Sequence, residues 1–348
     1  MIVIQDRLEL AAVHLDRLRT LFREQYQQGA AERGLSFIDS MVSPPVRLSN
    51  GHVVLWLKWQ VADAPAWCAM RAQSGHPSVA AFWNEVDSIC QRRERTYLVN
   101  SDEVSASPAG EDVSGFRVAV QGHRETAQLR LRDTLSAADG EEMAGLLSAA
   151  TAELPGLEMA QLSANFAPEY AAGHYTLDLL YPSGEIAATA RESEAWKSRI
   201  LGVMERYCDA WHALELENIS AGLRRPGIVG SIKRTAYFRM LPDRVDASGH
   251  FEADLLEMPE QIPEILNWRL SRASALPWNN AECPPWTYVW EQEFESLDDL
   301  LGPYMIHPHH WAQVDRWFDP ESGAQAVDVN LSHAFCLAPE SVLSREAV

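Results

Sequence analysis

The strongest constraint in this sequence is a repeated order of predicted elements. Three successive pieces of the 348-residue chain each follow the order strand, helix, strand, strand, helix, strand, judged by hydrophobic periodicity. Residues 2–10, for example, alternate apolar and polar side chains, whereas residues 14–34 place leucines at helical spacing. A repeat of this length predicts several small cores in place of a single large one.

Two breaks in composition separate the repeated pieces. Residues 101–115 are rich in Ser, Asp, Glu, Gly and Pro, which is typical of a linker. Gly and Pro cluster again near 219–230. We therefore predict a first module at 1–100, a linker at 101–115, a diverged second module at 116–222 and a third module at 223–348.

The repeated order is the split βαβ pattern of ferredoxin-like modules. Two helices cover one face of such a sheet, and the other face is often buried against a second sheet. The predicted fold class is therefore α+β, with three tandem ferredoxin-like modules of the dimeric α+β barrel type. We expect their sheets to pack face to face within and between chains. Because three modules leave one sheet without a partner in its own chain, we expect a homodimer.

Charge and hydropathy exclude several classes of partner. The chain has 29 Lys and Arg against 49 Asp and Glu, a net charge of −20, which disfavours nucleic acid and anionic membranes. No apolar run approaches the ~20 residues that span a bilayer, and the first residues do not resemble a signal peptide. The five cysteines are widely spaced and odd in number, which indicates reduced thiols in a cytoplasmic protein.

The most specific motif lies at residues 294–310, FESLDDLLGPYMIHPHH, and it contains Tyr304, His307 and His310. It resembles the signature of the stress-responsive dimeric α/β-barrel (Dabb) family, in which a Phe-Glu-Ser strand end precedes Tyr-x-x-His-Pro-x-His. The resemblance covers about 228–340 and is weak in the two upstream modules. It implies a ferredoxin-like barrel and a site on the helix that carries the motif.

The residues of this motif suit acid and base chemistry. A His with an unperturbed pKa near ~6.5 can act as a base, and a Tyr can donate to a developing oxyanion. The resemblance implies the same pair, because a polyketide cyclase of the family uses the Tyr and the last His of the motif, here Tyr304 and His310. We therefore predict a cofactor-independent cyclase, lyase or dehydratase/isomerase acting on an aromatic, phenolic or polyketide-like small molecule.

Other imidazoles near the motif have two interpretations. His307, His309 and, in the first module, His76 could be catalytic, or a His-Pro pair could simply cap a helix. The sequence also departs from the family pattern at Gly302-Pro303, which adds one residue before Tyr304 and would interrupt helical hydrogen bonds.

The third module is rich in aromatic side chains that could line a pocket. Strand alternation places Tyr288, Trp290 and Gln292 on one face. Arg234 and Arg239 could pair with a ligand carboxylate, although surface ion pairs are the favoured interpretation. The predicted substrate-binding residues are Tyr237, Trp268, Tyr288, Trp290 and Trp311.

No cofactor is predicted. A metal site among His307, His309, His310 and His333 has little support, since adjacent residues on a helix point about 100° apart. Haem is bound by related barrels through a histidine, but nothing in this sequence specifies it. Glycine-rich nucleotide motifs are absent from the sequence. Two alternative functions remain open: a cofactor-free monooxygenase, and a ligand-binding or stress protein without catalysis.

Overall fold

The computed structural model describes residues 1–106 and 108–348 and forms two compact units. Ser107, within the predicted linker, lies outside the described residues. The first unit comprises Met1–Gly110, Asp243–Asp254 and Met305–Val329, and the second comprises Glu111–Pro242, Leu255–Tyr304 and Asn330–Val348. The boundaries therefore fall inside a helix, Ser248–Gln261, and directly after Tyr304.

The first unit is built on a four-stranded antiparallel sheet in the order β2-β3-β1-β4. Its strands are β1 Ile2–Ala11, β2 Ser36–Ser43, β3 His52–Val61 and β4 Cys90–Leu98. Its helices are α1 Leu15–Leu21, α2 Gln27–Glu32, α3 Ala64–Arg71, α4 Pro77–Ile89 and α5 Ser101–Ala106, the last within the predicted linker. The element order is the one that the sequence predicts.

One face of this sheet forms the core of the first unit. β1 buries every second residue, including Ile4 and Leu8, as its alternating sequence requires. A π-helical turn, Phe22–Tyr26, joins α1 to α2, and the Tyr26 ring stacks on Phe82 of α4 with centroids 4.5 Å apart. Aromatic side chains thus pack between the sheet and the helices.

A buried carboxylate, Glu321, forms ion pairs with two buried arginines in this core. Its oxygens accept hydrogen bonds from the Tyr26 hydroxyl at 2.9 Å, from Arg33 at 2.8 Å and from Arg95 at 2.6 Å. Arg95 also donates to Asp6 at 2.7 Å. Burial by itself would raise the pKa of Glu321, but the charges of Arg95 and Arg33 outweigh it and lower the pKa to about 2.

The second unit contains a nine-stranded sheet. Eight of its strands lie in the order β13-β10-β12-β11-β9-β6-β8-β7, and the ninth, β5, pairs with β9. Its strands are β5 Arg117–Val118, β6 His123–Leu131, β7 Met159–Ala164, β8 Tyr175–Tyr181, β9 Cys208–Leu223, β10 Val229–Phe238, β11 Asn267–Ala275, β12 Tyr288–Phe294 and β13 Ser332–Glu340. The remaining helices are α6 Ala137–Thr151, α7 Gly184–Arg191, α8 Leu201–Tyr207, α9 Ser248–Gln261, α10 Leu297–Asp299 and α11 Val342–Arg345.

This sheet closes on itself. The long strand β9 pairs with β6 along one edge and with β11 along the other, so it joins the second and third modules. At the two ends of the sheet, Asn165 beside β7 forms a bridge with Cys336 of β13. The Phe166 N–H also donates to the Phe335 carbonyl at 2.8 Å. The two modules therefore form one barrel with an interior and an outer face.

Side chains from the two modules meet across the barrel interior. Arg124 of β6 donates to Glu291 of β12 at 2.7 Å, and Lys233 of β10 donates to Asp178 of β8 at 2.7 Å. The predicted face-to-face packing of ferredoxin-like sheets within the chain is thus confirmed. The shared hydrogen-bonded edge between β9 and β11 is a further feature that periodicity did not reveal. Pairing with a second chain stays a prediction.

We expect Glu321→Gln to destabilise the first unit by roughly 3–5 kcal/mol, because it removes the carboxylate that pairs with buried Arg33 and leaves Arg95 with Asp6 alone. Urea denaturation followed by circular dichroism measures the loss. Glu24→Gln, which changes an exposed carboxylate, is the matched control and should leave stability within about 0.5 kcal/mol. Equal unfolding midpoints for the two variants would contradict the role of Glu321.

The same carboxylate makes the first unit sensitive to acid. Because the folded-state pKa of Glu321 lies below its ordinary value of 4.5, its stabilising contribution is complete above that pH. It is lost progressively as the pH falls towards 2. Stability measured at intervals between pH 6 and pH 2.5 should therefore fall less steeply in Glu321→Gln than in the unsubstituted protein.

Candidate active site

The candidate site lies on the outer face of the sheet in the third module. Strand register places Trp268, Gln292 and Arg234 in one row across β11, β12 and β10. The next row brings Trp290 and His333 beside the small residue Ala236, on β12, β13 and β10. Since alternate residues share a face, these side chains project to the same side of the sheet, away from the barrel interior.

Arg234 is the centre of this face and is 3% exposed. Its guanidinium donates to the Gln292 side-chain oxygen at 2.8 Å and contacts His333 Nδ1 at 2.6 Å. Because a guanidinium has no acceptor atom, His333 Nδ1 must accept, which leaves the ring proton on Nε2. The favoured surface interpretation of Arg234 is therefore wrong, since its side chain is buried on this face.

The Tyr304 ring contacts the same face. It is 1% exposed, lies 5.5 Å from the Arg234 guanidinium carbon and packs edge-on against Phe294 with centroids 5.3 Å apart. A capping box between Ser296 and Asp299 starts the helix that leads to it. Tyr304 is thus directed onto the sheet.

The extra residue at Gly302-Pro303 is accommodated as a π-helical turn, Leu300–Tyr304. A π turn inserts one residue into a helix without ending it, and such turns are frequent at functional sites. Pro303 lies inside this turn. The departure from the family pattern therefore reshapes the helix while Tyr304 still reaches the sheet.

Two buried donors on this face lack partners. Trp290 Nε1 and Gln292 Nε2 make no hydrogen bond within the described part of the chain, although both residues are fully buried. An unsatisfied buried donor costs about 1–3 kcal/mol, and so calls for an explanation. The two residues are neighbours along one face of β12, so one ligand with acceptor oxygens could satisfy both.

His310 belongs to the first unit, whereas Tyr304 belongs to the second. It is buried in a π-helical turn, His309–Val314, and its Nε2 lies 4.0 Å from Asp315 Oδ1. That distance is too long for a hydrogen bond but allows electrostatic attraction when the ring is protonated. The catalytic role of His310 stays a prediction.

The neighbouring histidines make backbone contacts. His307 Nδ1 accepts a hydrogen bond from the His309 backbone N–H at 3.2 Å, and His309 Nε2 lies 2.9 Å from the Asp254 carbonyl. Burial, followed by the charges of the adjacent imidazoles, lowers the pKa of His307. In the first module, His76 Nδ1 accepts from the Ser78 backbone N–H at the start of α4. These contacts fit the capping interpretation.

The predicted aromatic residues divide between different places. Tyr288, Trp268 and Trp290 lie on the outer face of the sheet. Tyr237 belongs to the opposite face, where its hydroxyl contacts Thr126 at 3.4 Å inside the barrel. The prediction that Tyr237 shares a wall with Tyr304 is therefore corrected, because odd and even positions of β10 face opposite ways.

Trp311 is also placed elsewhere than predicted. It lies in the core of the first unit, where its ring packs against Trp67 and Tyr97 at centroid distances of 5.6 and 6.0 Å. Its indole N–H already donates to the Ile306 carbonyl at 3.0 Å. Trp311 therefore packs in the core of the first unit, and its substrate-binding role stays a prediction.

The sequence indicates His333 only as a weakly supported metal ligand, whereas in the structure its Nδ1 contacts Arg234. Alternation along β10 and β13 predicts which side chains share a face of each strand. Only the register between the two strands shows that Arg234 and His333 are neighbours. Arg239, by contrast, is partly exposed and donates to the Pro284 carbonyl. Throughout 1–106 and 108–348, no three His, Cys, Asp or Glu side chains form a group suited to a metal ion. Within the same described residues, no helix is both long enough and apolar enough to span a membrane.

Comparison with known families identifies the third module. Residues 232–331 match the model described as the stress responsive A/B barrel domain. The resemblance read from the Tyr-x-x-His-Pro-x-His segment is thus confirmed, and the chain carries a Dabb domain at these residues. No curated protein matches the chain.

Several solved structures are similar to parts of this chain at low identity. An anthrone oxidase-like protein is 13% identical, with a TM-score of 0.48, over 64% of this chain and 94% of that chain. A mutant chlorite dismutase from Candidatus Nitrospira defluvii is 7% identical, with a TM-score of 0.36, over 65% and 94%. A dimeric ferredoxin-like protein from Thermobifida fusca is 16% identical, with a TM-score of 0.25, over 29% and 95%. None of these likenesses is close enough to assign an activity.

Replacing Trp290 should cost less stability than replacing a tryptophan whose N–H is bonded. We expect Trp290→Phe to destabilise the protein less than Trp83→Phe, because Trp83 Nε1 donates to Glu321 at 3.2 Å. The difference should be about 1–3 kcal/mol, the usual cost of leaving a buried partner unsatisfied. Urea denaturation of both variants measures it, and an equal loss would show that the Trp290 N–H is satisfied.

Proposed function

We propose that this protein is an enzyme that carries out acid–base chemistry on an aromatic or phenolic small molecule, as a cyclase, lyase or dehydratase/isomerase. The observation that supports the proposal is the pair of unpartnered donors, Trp290 Nε1 and Gln292 Nε2, on the sheet face where Arg234 contacts the Tyr304 ring. Buried donors that stay unpaired are typical of a site prepared for a ligand oxygen.

The charge of this face favours an electron-rich ligand. Arg234 supplies a buried positive charge, and its guanidinium is oriented by Gln292 and by His333 Nδ1. Donors that are fixed in advance stabilise an enolate or phenolate oxygen more than its neutral precursor, which is how such groups accelerate a reaction. The aromatic rings of Trp268 and Trp290 suit a flat substrate.

Tyr304 is the proposed proton donor to the developing oxyanion. Its ring packs against both Phe294 and the Arg234 guanidinium, so its position is restricted before a ligand binds. The resemblance to the family motif implies that His310 is the base, and we include it in the proposal on that ground.

We expect Tyr304→Phe to lower kcat by about 10²–10³-fold, because one oxyanion donor is lost. Turnover is screened against phenolic, β-keto and β-hydroxy substrates by product analysis. Tyr237→Phe is the matched control, since it removes a hydroxyl from the opposite face of the same sheet and should leave kcat unchanged. Full activity in Tyr304→Phe would contradict the role of Tyr304 as proton donor.

His310→Ala tests the base in the same assay. A base contributes typically 10²–10⁴-fold, so a loss in that range supports the role assigned by the motif. Unchanged turnover in this variant contradicts it. Oxygen consumption measured alongside decides the reaction class, because acid–base chemistry consumes none and a cofactor-free monooxygenase consumes one molecule per turnover.

A further inference from the structure

The interior of the second unit's barrel contains a group of six ionic side chains that balance each other in charge. Two arginines and a lysine face three carboxylates, and the side chains are almost completely buried. The ion pairs include Arg124–Asp178 at 2.8 Å and Lys233–Glu291 at 2.9 Å. The six residues are Arg124, Asp178, Lys233, Arg269, Glu291 and Glu346.

Glu346 differs from the other five because it does not project from a strand. It lies on the segment Ser341–Val348, which follows the last strand of the sheet. One of its oxygens pairs with Arg124 and the other with Arg269. Without it, Arg124 and Arg269 would each lose a buried ion pair, so this position favours a carboxylate.

Several polar atoms beside these arginines have no partner within the described residues. They include Nε of both Arg124 and Arg269, Oε2 of Glu291 and the hydroxyls of Thr235 and Ser271. A guanidinium binds a carboxylate best through two parallel N–H bonds, and the Nε edge of each arginine is unused. Glu346 therefore neutralises the two arginines without using all of their hydrogen-bonding capacity.

Three of these residues are neighbours in one row of the sheet. Thr235, Glu291 and Arg269 are in register across β10, β12 and β11, and the row ends in Ala334 on β13 and Ala221 on β9. Because alanine side chains are small, the two ends of this row fill little of the barrel interior. The row offers a donor at Arg269 Nε, an acceptor at Glu291 Oε2 and a hydroxyl at Thr235.

We propose that this row is a second ligand site, for a small α-hydroxy carboxylate, and that Glu346 is its resident occupant. The ligand carboxylate takes the place of the Glu346 carboxylate at Arg124 and Arg269, and its hydroxyl donates to Glu291 and accepts a hydrogen bond from the Thr235 hydroxyl. Binding is noncovalent and moves Ser341–Val348 away from the interior. The site is separate from the one proposed around Tyr304, because the two lie on opposite faces of the sheet.

Glycolate is the probe for this site, used with the full-length protein and measured by isothermal titration calorimetry. We expect Glu346→Ala to bind glycolate at least tenfold more tightly than the unsubstituted protein, and ethylene glycol, which lacks the carboxylate, not to bind. Glu340→Ala is the matched control, because it removes an exposed carboxylate that pairs with Arg345 near the same segment. Adding Thr235→Val to Glu346→Ala should weaken glycolate binding again.

Two results would overturn the proposal. One is a folded Glu346→Ala variant that binds glycolate no better than Glu340→Ala, and the other is binding that Thr235→Val leaves unchanged. If Glu346→Ala does not fold, hydrogen exchange of the unsubstituted protein decides. Faster exchange at residues 341–348 in glycolate than in chloride supports a displaceable Glu346. Equal exchange shows that Glu346 is a structural ion pair.

Discussion

The burial of both faces of one sheet is the constraint on which the second unit depends. Lys233 and Arg234 are consecutive residues of β10, and both are buried. Lys233 enters the barrel and pairs with Asp178 and Glu291, whereas Arg234 meets Gln292 on the outer face. A buried charge is stable only with partners, so each face requires its own polar set. Strand β10 therefore contributes Lys233 to the interior charges and Arg234 to the candidate active site on the outer face.

The Dabb motif itself is divided between the two units. Tyr304 ends its part of the second unit, and Met305–Val329 belongs to the first. That segment supplies Trp311 to an aromatic core and Glu321 to two buried arginines, both stabilising roles. A conspicuous sequence motif thus contains residues that hold a fold together as well as residues proposed for chemistry. The contacts of each residue, more than its place in the motif, separate the two groups.

Periodicity predicted much of the architecture and part of the site. The repeated element order gave tandem ferredoxin-like modules, and alternation placed Tyr288, Trp290 and Gln292 on one face, as the register confirms. Alternation also separates Tyr237 from that face, but it does not say which face a site occupies. The burial of Arg234 and its contact with His333 depend on pairing between β10 and β13, which are almost a hundred residues apart. Local patterns contain no information at that range.

The sequence by itself determined the module type, the Dabb motif and the alternation of side chains along each strand, because these depend on neighbours within a few residues. Only the tertiary structure decided that β9 joins two modules into one barrel and that β7 and β13 meet to close it. It also decided that Trp290 and Gln292 keep unpartnered donors in a buried place. Burial and hydrogen-bond satisfaction are properties of the assembled sheet, since each depends on atoms brought together from distant parts of the chain.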